Sequence, residues 1–314
     1  MDVPEVVTVG RVSVDLYARE LDVGFDGQQS FTKSVGGSPT NVAVAAARLG
    51  RRAAIVTKVG DDDFGSYVRL RLREFGVLTD YVGTQPGGQT PLALAALDPP
   101  ETPQVAFYRG PAAPDTQLQA GDLPDAVLRD CGLLWMSQGA LASGPTAASA
   151  MTWLTARAKA GHTILDLDYR PALWPSVETA RAAAAEAIAL ATVVVGNLDE
   201  CEMAVETRNP DSAADRLLAR GVDLAIIKQG ADGALFANRS HRWVIAPTPI
   251  AVVCGLGAGD AFGGALSHGL LAGWDVDAVG RFASAAGAYV AARLTCADDM
   301  PTEARVRELI EEST

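Results

Sequence analysis

Lysine is scarce in this chain of 314 residues, and no lysine follows a glycine. The four are Lys33, Lys58, Lys159 and Lys228. A Walker-type phosphate loop needs Gly-Lys-Ser/Thr, so that nucleotide-binding class is excluded. No His-Arg-Asp triplet occurs either, which removes the protein-kinase catalytic loop. Histidine is rarer still, at three residues, and the four cysteines (Cys131, Cys201, Cys254, Cys296) form no Cys-x-x-Cys pair. Ligands so scattered give a zinc site no support. Basic residues are outnumbered, 26 against 38 acidic, for a net charge of −12. Such a surface repels phosphate backbones and anionic lipid, so neither nucleic acid nor a membrane surface is an expected partner. Small anions respond to a local pocket instead, and there arginine must act. Long apolar runs are missing too. Residues 182–195 are alanine-rich and include Glu186, a run too short and too weakly apolar for a bilayer. The first ten residues are acidic and lead straight into a β-branched run, unlike a secretory signal. Cytoplasm is the expected location.

What the sequence does contain is an alternation. Short β-branched runs at 6–9, 53–59, 133–136, 163–167, 192–195 and 224–227 are separated by alanine- and leucine-rich stretches. Those stretches, at 40–49, 64–75, 145–160, 177–190 and 211–220, have helical length. The pattern predicts an α/β fold, a doubly wound, mostly parallel sheet flanked by helices. Shorter strands are expected at 234–237 and 243–246, then helices at 260–272, 276–293 and 302–312. Two stretches break the pattern. Residues of about 12–35 and 89–110 read as extended, with a strand pair at 92–97 and 105–108 around a turn-prone 98–103. They predict a small β-sheet lid on a single domain spanning 1–314.

The strongest local signal is Gly255-Leu256-Gly257-Ala258-Gly259-Asp260, opening a long helix. Small residues at 257 to 259 let backbone amides crowd round an anion, and the helix N-terminus adds its positive dipole end. Asp260 in the first turn could accept a hydroxyl proton beside that hole, or it could simply cap the helix. A dinucleotide fingerprint beginning at Gly255 would need glycine at 260, so it is excluded. Gly36-Gly37-Ser38-Pro39-Thr40-Asn41 again runs glycines into a helix. Close backbone approach there would suit a polyhydroxylated ligand, with Asn41 hydrogen-bonding it; a helix start with Pro39 in its first turn is the plain alternative. Gly60-Asp61-Asp62-Asp63-Phe64-Gly65 reads best as a helix cap. Asn197 and Glu200 follow a strand's carboxyl end, where α/β sheets place ligands, and could hold Mg²⁺ through water.

Together and in this order, an early Gly10…Asp15, Gly36-Gly37…Asn41, Gly60-Asp61-Asp62…Gly65, Asn197…Glu200 and Gly257-Ala258-Gly259-Asp260 resemble the ribokinase-like (PfkB) carbohydrate kinases. The matches cover essentially the whole chain. The resemblance implies a β-lid that often clasps a homodimer, with ATP and Mg²⁺ as cofactors. It implies Asp260 as the base, with Gly257, Ala258 and Gly259 forming the anion hole. Asp15, Gly36, Gly37 and Asn41 would hold the sugar, and Asn197 and Glu200 would serve metal and phosphates. Lys228, Gly230, Gly233 and Ser284 would lie by the nucleotide.

Two arginines refine the substrate class. Arg109 ends a predicted lid strand, and Arg170 follows a core strand within Asp166-Leu167-Asp168-Tyr169-Arg170. Meeting over the sugar site, they would bind a carboxylate, which guanidinium suits geometrically; surface salt bridges are the plain alternative. With Gly10 to Tyr17, this segment is most similar to the sugar-acid kinases of the family. A small sugar acid and ATP are thus the expected ligands. Two positions depart from the family pattern. Cys254 replaces an acidic or amide residue that helps bind a monovalent cation in several relatives, and a thiol is a poor ligand for K⁺. Ser284 stands where an asparagine near the adenine is common. A non-catalytic sugar- or nucleotide-binding regulator is the rival class, and it would have no use for Asp260 as a base.

Overall fold

The computed structural model describes residues 3–313. Chain order begins with β1 (Val6–Val9), β2 (Ser13–Leu21), β3 (Phe31–Gly36), α1 (Ser38–Arg48), β4 (Ala53–Gly60) and α2 (Asp63–Glu74). Three short strands follow, β5 (Val82–Gln85), β6 (Leu92–Leu97) and β7 (Gln104–Tyr108). The middle of the chain forms α3 (Asp125–Asp130), β8 (Leu133–Ser137), α4 (Gly144–Arg157), β9 (His162–Asp166) and α5 (Val177–Ile188). Next come β10 (Val193–Asn197), α6 (Leu198–Val205), α7 (Pro210–Ala219) and β11 (Leu224–Lys228). The hairpin β12 (Ala234–Ala237) and β13 (Arg242–Ile245) leads to α8 (Ala258–Leu271), α9 (Val276–Ala291) and α10 (Glu303–Glu312).

Nine strands form one sheet in the order β13-β12-β11-β10-β9-β8-β1-β4-β5. It is parallel from β11 to β5, and the β12–β13 hairpin adds two antiparallel strands at one edge. The expected mostly parallel sheet is thus present. Helices cover both faces, which is why central strands read as unbroken apolar runs rather than as alternating ones. Successive side chains still part company: Leu133 and Trp135 enter the core beneath α1, α8 and α9, while Leu134 and Met136 enter the one beneath α4 to α7. Trp135 is fully buried, so truncating it to alanine would cost about 3–5 kcal/mol.

The expected lid strands pair as a separate four-stranded sheet, β3-β2-β6-β7. The Gly60–Gly65 block anchors its root. Asp62 caps α2 by accepting from the Gly65 amide at 2.7 Å, and the same carboxylate accepts from the Thr90 amide (2.8 Å) and hydroxyl (2.7 Å). The plain-cap expectation for this block therefore holds, and the cap also pins the chain where it enters β6. Three elements were absent from the sequence expectations: β5, α3 and α6, with four, six and eight residues. Segments so short give a helical or strand period only one or two repeats in which to show itself.

Helices α1 and α8 lie flush, and this closeness builds the site. A Cβ on Gly264 would stand 2.3 Å from Cβ of Ala45, so only glycine permits the contact. Their N-termini open on the same side of the sheet.

Candidate active site

Asp260 sits in the first turn of α8, and Asn41 in the first turn of α1. Packing of the two helices brings the Asn41 amide nitrogen to donate to the Asp260 carboxylate at 2.8 Å. The Ser38 hydroxyl gives it a further hydrogen bond. Burial raises the Asp260 carboxyl to about 6, against the pull of Asn41 and Ser38. A base of that strength is ionised at neutral pH yet basic enough to take a hydroxyl proton. Two helix N-termini now face one space, and each favours negative charge there. Asn41 is buried, and its side-chain oxygen has no protein partner, leaving an acceptor for a ligand hydroxyl.

That space is a cavity of about 120 Å³ beneath the lid. Asp15, Gly37, Asn41, Arg109, Arg170, Gly257 and Asp260, all expected from the sequence, line it. The strand period puts Ser13, Asp15 and Tyr17 of β2 on its inner face. Ser13 donates to Asp15 at 2.6 Å and Tyr17 at 3.1 Å, and burial raises the Asp15 carboxyl above its ordinary value. Gly36 lies behind rather than beside the cavity. A Cβ on it would stand 2.0 Å from the Asp15 carboxylate, so the absent side chain makes room for that group. From the lid, Ala93, Val105 and Phe107 close the roof.

The arginines differ from expectation in one respect. Both reach the cavity, but neither is a free guanidinium. Arg109 pairs with buried Asp115 at 2.6 Å, and Arg170 donates through Nε to buried Asp168 at 3.2 Å. A buried carboxylate left without its cation is costly, so the pairs are required by the aspartates behind them. Arg170 remains about half exposed and borders a second cleft lined by Asn197, Asp199 and Glu200. A third arginine, Arg11, was not singled out from the sequence. It lines the cavity and pairs with Asp168 from the other side. The signal for it was weak: one basic residue in the Gly10–Tyr17 segment, with its partner 157 positions away.

The residues expected to contact a nucleotide lie outside this cavity. Lys228 ends β11, and its ammonium would stand 3.3 Å from a Cβ on Gly259, so it adjoins the first turn of α8. Burial alone would lower its pKa, but Glu200, Asp166, Asp260 and Asp168 outweigh that and raise it. Gly230 and Gly233 bound the turn between β11 and β12. The Ser284 hydroxyl donates to the Ala246 carbonyl at 3.4 Å. None of these four lines the cavity beneath the lid. Asn197 and Glu200 form a reciprocal capping box on α6: Asn197 Oδ1 accepts from the Glu200 amide at 2.9 Å, and Glu200 Oε2 from the Asn197 amide at 2.6 Å. The pair thus has a structural duty that leaves Glu200 Oε1 over. Asp166, missed as a site residue, is buried beside them with Oδ1 unpartnered. Burial raises its carboxyl to about 8, Lys228 opposing and Asp168, Glu200 and Asp260 reinforcing the rise.

Gly255 is held against the turn that joins β6 to β7. Its amide donates to the Pro100 carbonyl at 2.9 Å, and a Cβ would lie 2.1 Å from the Glu101 carbonyl. The turn between β6 and β7 therefore rests directly on the loop that leads to Gly257.

A buried carboxylate between two helix N-termini, roofed by a lid and flanked by an ammonium beside an amide-lined turn, suits phosphoryl transfer to a small alcohol. Comparison with known proteins gives that class its family. A profile of the pfkB family carbohydrate kinases matches residues 3–303, and the chain belongs to that family. The 5-dehydro-2-deoxygluconokinase of Shouchella clausii is 31% identical over 315 residues, spanning 98% of this chain and 96% of that protein. The protein of the same name from Geobacillus kaustophilus is 30% identical, over 98% and 94%. Among solved structures, a fructokinase from Xylella fastidiosa with bound ATP superposes with a TM-score of 0.87 at 25% identity, over 98% of this chain and 99% of that one. An Escherichia coli chain provisionally described as a ribokinase II, solved with ATP and Mg²⁺, has a TM-score of 0.88 at 23% identity, over 98% and 99%. This protein is therefore a carbohydrate kinase. Among the described residues no helix is long and apolar enough to cross a membrane.

Magnesium, which the family implies, fits the residues present. Asp166 Oδ1 is an orphaned buried oxygen amid excess negative charge. Among the described residues no three His, Cys, Asp or Glu side chains are grouped to ligate a cation directly.

Proposed function

We propose that this chain transfers the γ-phosphoryl group of ATP, with Mg²⁺, to a sugar acid, and that the acid is 5-dehydro-2-deoxy-D-gluconate, converted to its 6-phosphate in inositol catabolism. One observation carries the choice of an acid: three arginines line a cavity small enough for one sugar. The names of the relatives support the particular acid. In this reading Asp15 and Asn41 hold the sugar hydroxyls, and Asp260 accepts the proton of the terminal hydroxyl as its oxygen attacks. The first amides of α8, at Ala258 and Gly259, receive the charge developing on the phosphoryl oxygens, with Lys228 alongside. Mg²⁺, held through water by Asp166, Glu200 and Asn197, would supply charge neutralisation to the phosphates. The lid excludes water and so limits wasteful hydrolysis of ATP.

The test is ADP release measured over a panel of 5-dehydro-2-deoxygluconate, 2-dehydro-3-deoxygluconate, fructose and ribose. The first is expected to give the highest kcat/KM. A preference for 2-dehydro-3-deoxygluconate would move the assignment to the sister activity, and a preference for neutral sugars would overturn the acid. No turnover with any would favour a binding regulator.

The acid limb of the pH profile is a second test. Asp260 works only when ionised, and its carboxyl lies at about 6. At saturating Mg²⁺, kcat/KM should fall about tenfold per pH unit below 6 and level off above it. A limb near pH 4 would mean an unperturbed base. Burial holds the Cys254 thiol up at about 11, which supports turnover that does not depend on a K⁺ ion at that side chain. The outer face of the lid exposes Phe31 and Tyr108 beside Leu94 and Ala106, which supports the expected homodimer.

A further inference from the structure

The cavity wall contains a string of alternating charges that neither the family motifs nor the relatives' names assign. Arg109 pairs with Asp115, and Arg170 pairs with Asp168. Arg11 stands between the two pairs. One of its terminal nitrogens meets Asp168 Oδ2, which also accepts from the Ser137 hydroxyl at 3.1 Å. Asp115, whose Oδ2 takes the Val12 amide at 3.2 Å, feels Arg11 as well as Arg109. The order along the wall is therefore Arg109, Asp115, Arg11, Asp168, Arg170. Three guanidiniums share two carboxylates. Without Arg11, the wall would consist of two neutral ion pairs.

We infer that Arg11 is the specificity-determining cation of this site: it gives the wall from Arg109 to Arg170 one guanidinium more than carboxylates, and that local excess makes the cavity prefer a carboxylate-bearing sugar over a neutral one. The inference rests on the sugar-acid reading above. Arg11 lines the cavity, its side chain is 9% exposed, and its Nε has no protein partner. A charge so little solvated acts through a low local dielectric, where its attraction for an anion is far stronger than at the surface. The cavity's remaining carboxylates do not cancel it by pairing. Asp15 is hydrogen-bonded by two hydroxyls and Asp260 by Asn41 and Ser38, while Arg11 acts on Asp15 and Arg170 on Asp260 only through space. Long-range pairing explains why arginine is needed at 11. A lysine ammonium could neutralise Asp168, but it lacks the planar fork that can serve Asp168 and a ligand together.

The probes are D-gluconate and D-glucitol, which share a carbon skeleton and differ at C1 by a carboxylate against an alcohol. Their dissociation constants are measured by calorimetry on the full chain, and the ratio of the two is the readout. A merely structural lesion weakens both ligands together and leaves the ratio alone. Arg11→Gln should reduce the preference for gluconate by about 10- to 100-fold, the range for one charged hydrogen-bonding partner. Arg11→Lys should retain part of it. Asp168→Asn removes a negative charge from the string, so the preference should stay the same or increase. An unchanged ratio in Arg11→Gln overturns the inference while leaving the sugar-acid reading intact. Absence of any gluconate preference in the unaltered chain overturns both. Should Arg11→Gln fail to fold, as judged by thermal melting, Asp168→Asn decides: a preference lowered below that of the unaltered chain overturns the inference.

Discussion

Asp260→Asn should lower kcat by about 10²–10⁴-fold while the protein folds as before. The amide has the shape of the carboxylate and can still accept from Asn41, which donates to Asp260 at 2.8 Å. It cannot take a proton. The loss should therefore fall on kcat, with the KM for both substrates little changed, since the hydroxyl and the phosphates keep their other partners. The acid limb at about pH 6 should disappear with the carboxyl that produces it. Stability should not suffer. The carboxyl is held above its ordinary range chiefly by burial, so the ionised group destabilises the fold at neutral pH and the neutral amide relieves that cost. ADP release and thermal melting, measured together, distinguish a lost base from a damaged fold. Turnover within a few-fold of the unaltered enzyme, with the acid limb still present, would assign the base elsewhere.

The second large effect is expected at Gly257. This residue caps α8 with φ of +79°, a left-handed conformation costing a side-chain-bearing residue about 1–2 kcal/mol. Space is the harder limit. A Cβ there would lie 2.4 Å from the sulfur of Cys296 and 2.7 Å from its Cβ, and Cys296 is itself held by the Tyr17 hydroxyl at 2.8 Å. Gly257→Ala must therefore displace either Cys296 or the first turn of α8, whose amides form the proposed anion hole. Loss of one such donor costs about 10²–10³-fold in kcat, and Gly257→Ala should fall in that range with a lowered melting temperature. Cys296→Gly in the same chain removes both clashing atoms but not the strained φ, so partial recovery of kcat is expected. Activity unaffected by Gly257→Ala would mean that these amides do not face the transferred group.

Several parts of the site were legible because they are local. A glycine run entering a helix announces an N-terminus with exposed amides wherever it occurs, so the helix starts at Gly37–Asn41 and Gly257–Asp260 could be read from spacing, while their duty stayed open between ligand binding and a plain cap. Asn197 and Glu200 illustrate the limit of such reading. Their spacing of three suits a metal through water and a reciprocal helix cap equally, and the structure shows the cap, which leaves one carboxylate oxygen for the other duty. Arg109 and Arg170 were identifiable as cavity residues, but their buried partners were not. Asp115 lies six positions from Arg109 in a segment without regular period, and an ion pair has no sequence signature of its own.

The sequence by itself determined the order of strands and helices apart from the short β5, α3 and α6, the parallel character of the sheet, the lid segments and which helix ends expose their amides. These follow from periodicity and from glycine and proline chemistry within a few residues, where the backbone leaves little choice. Tertiary structure alone decided which groups meet: Asn41 with Asp260 across 219 positions, Arg11 with Asp168 across 157, and the lid turn at Pro100 with Gly255. Such contacts depend on how closely two helices pack and where a sheet ends, and no local rule specifies either.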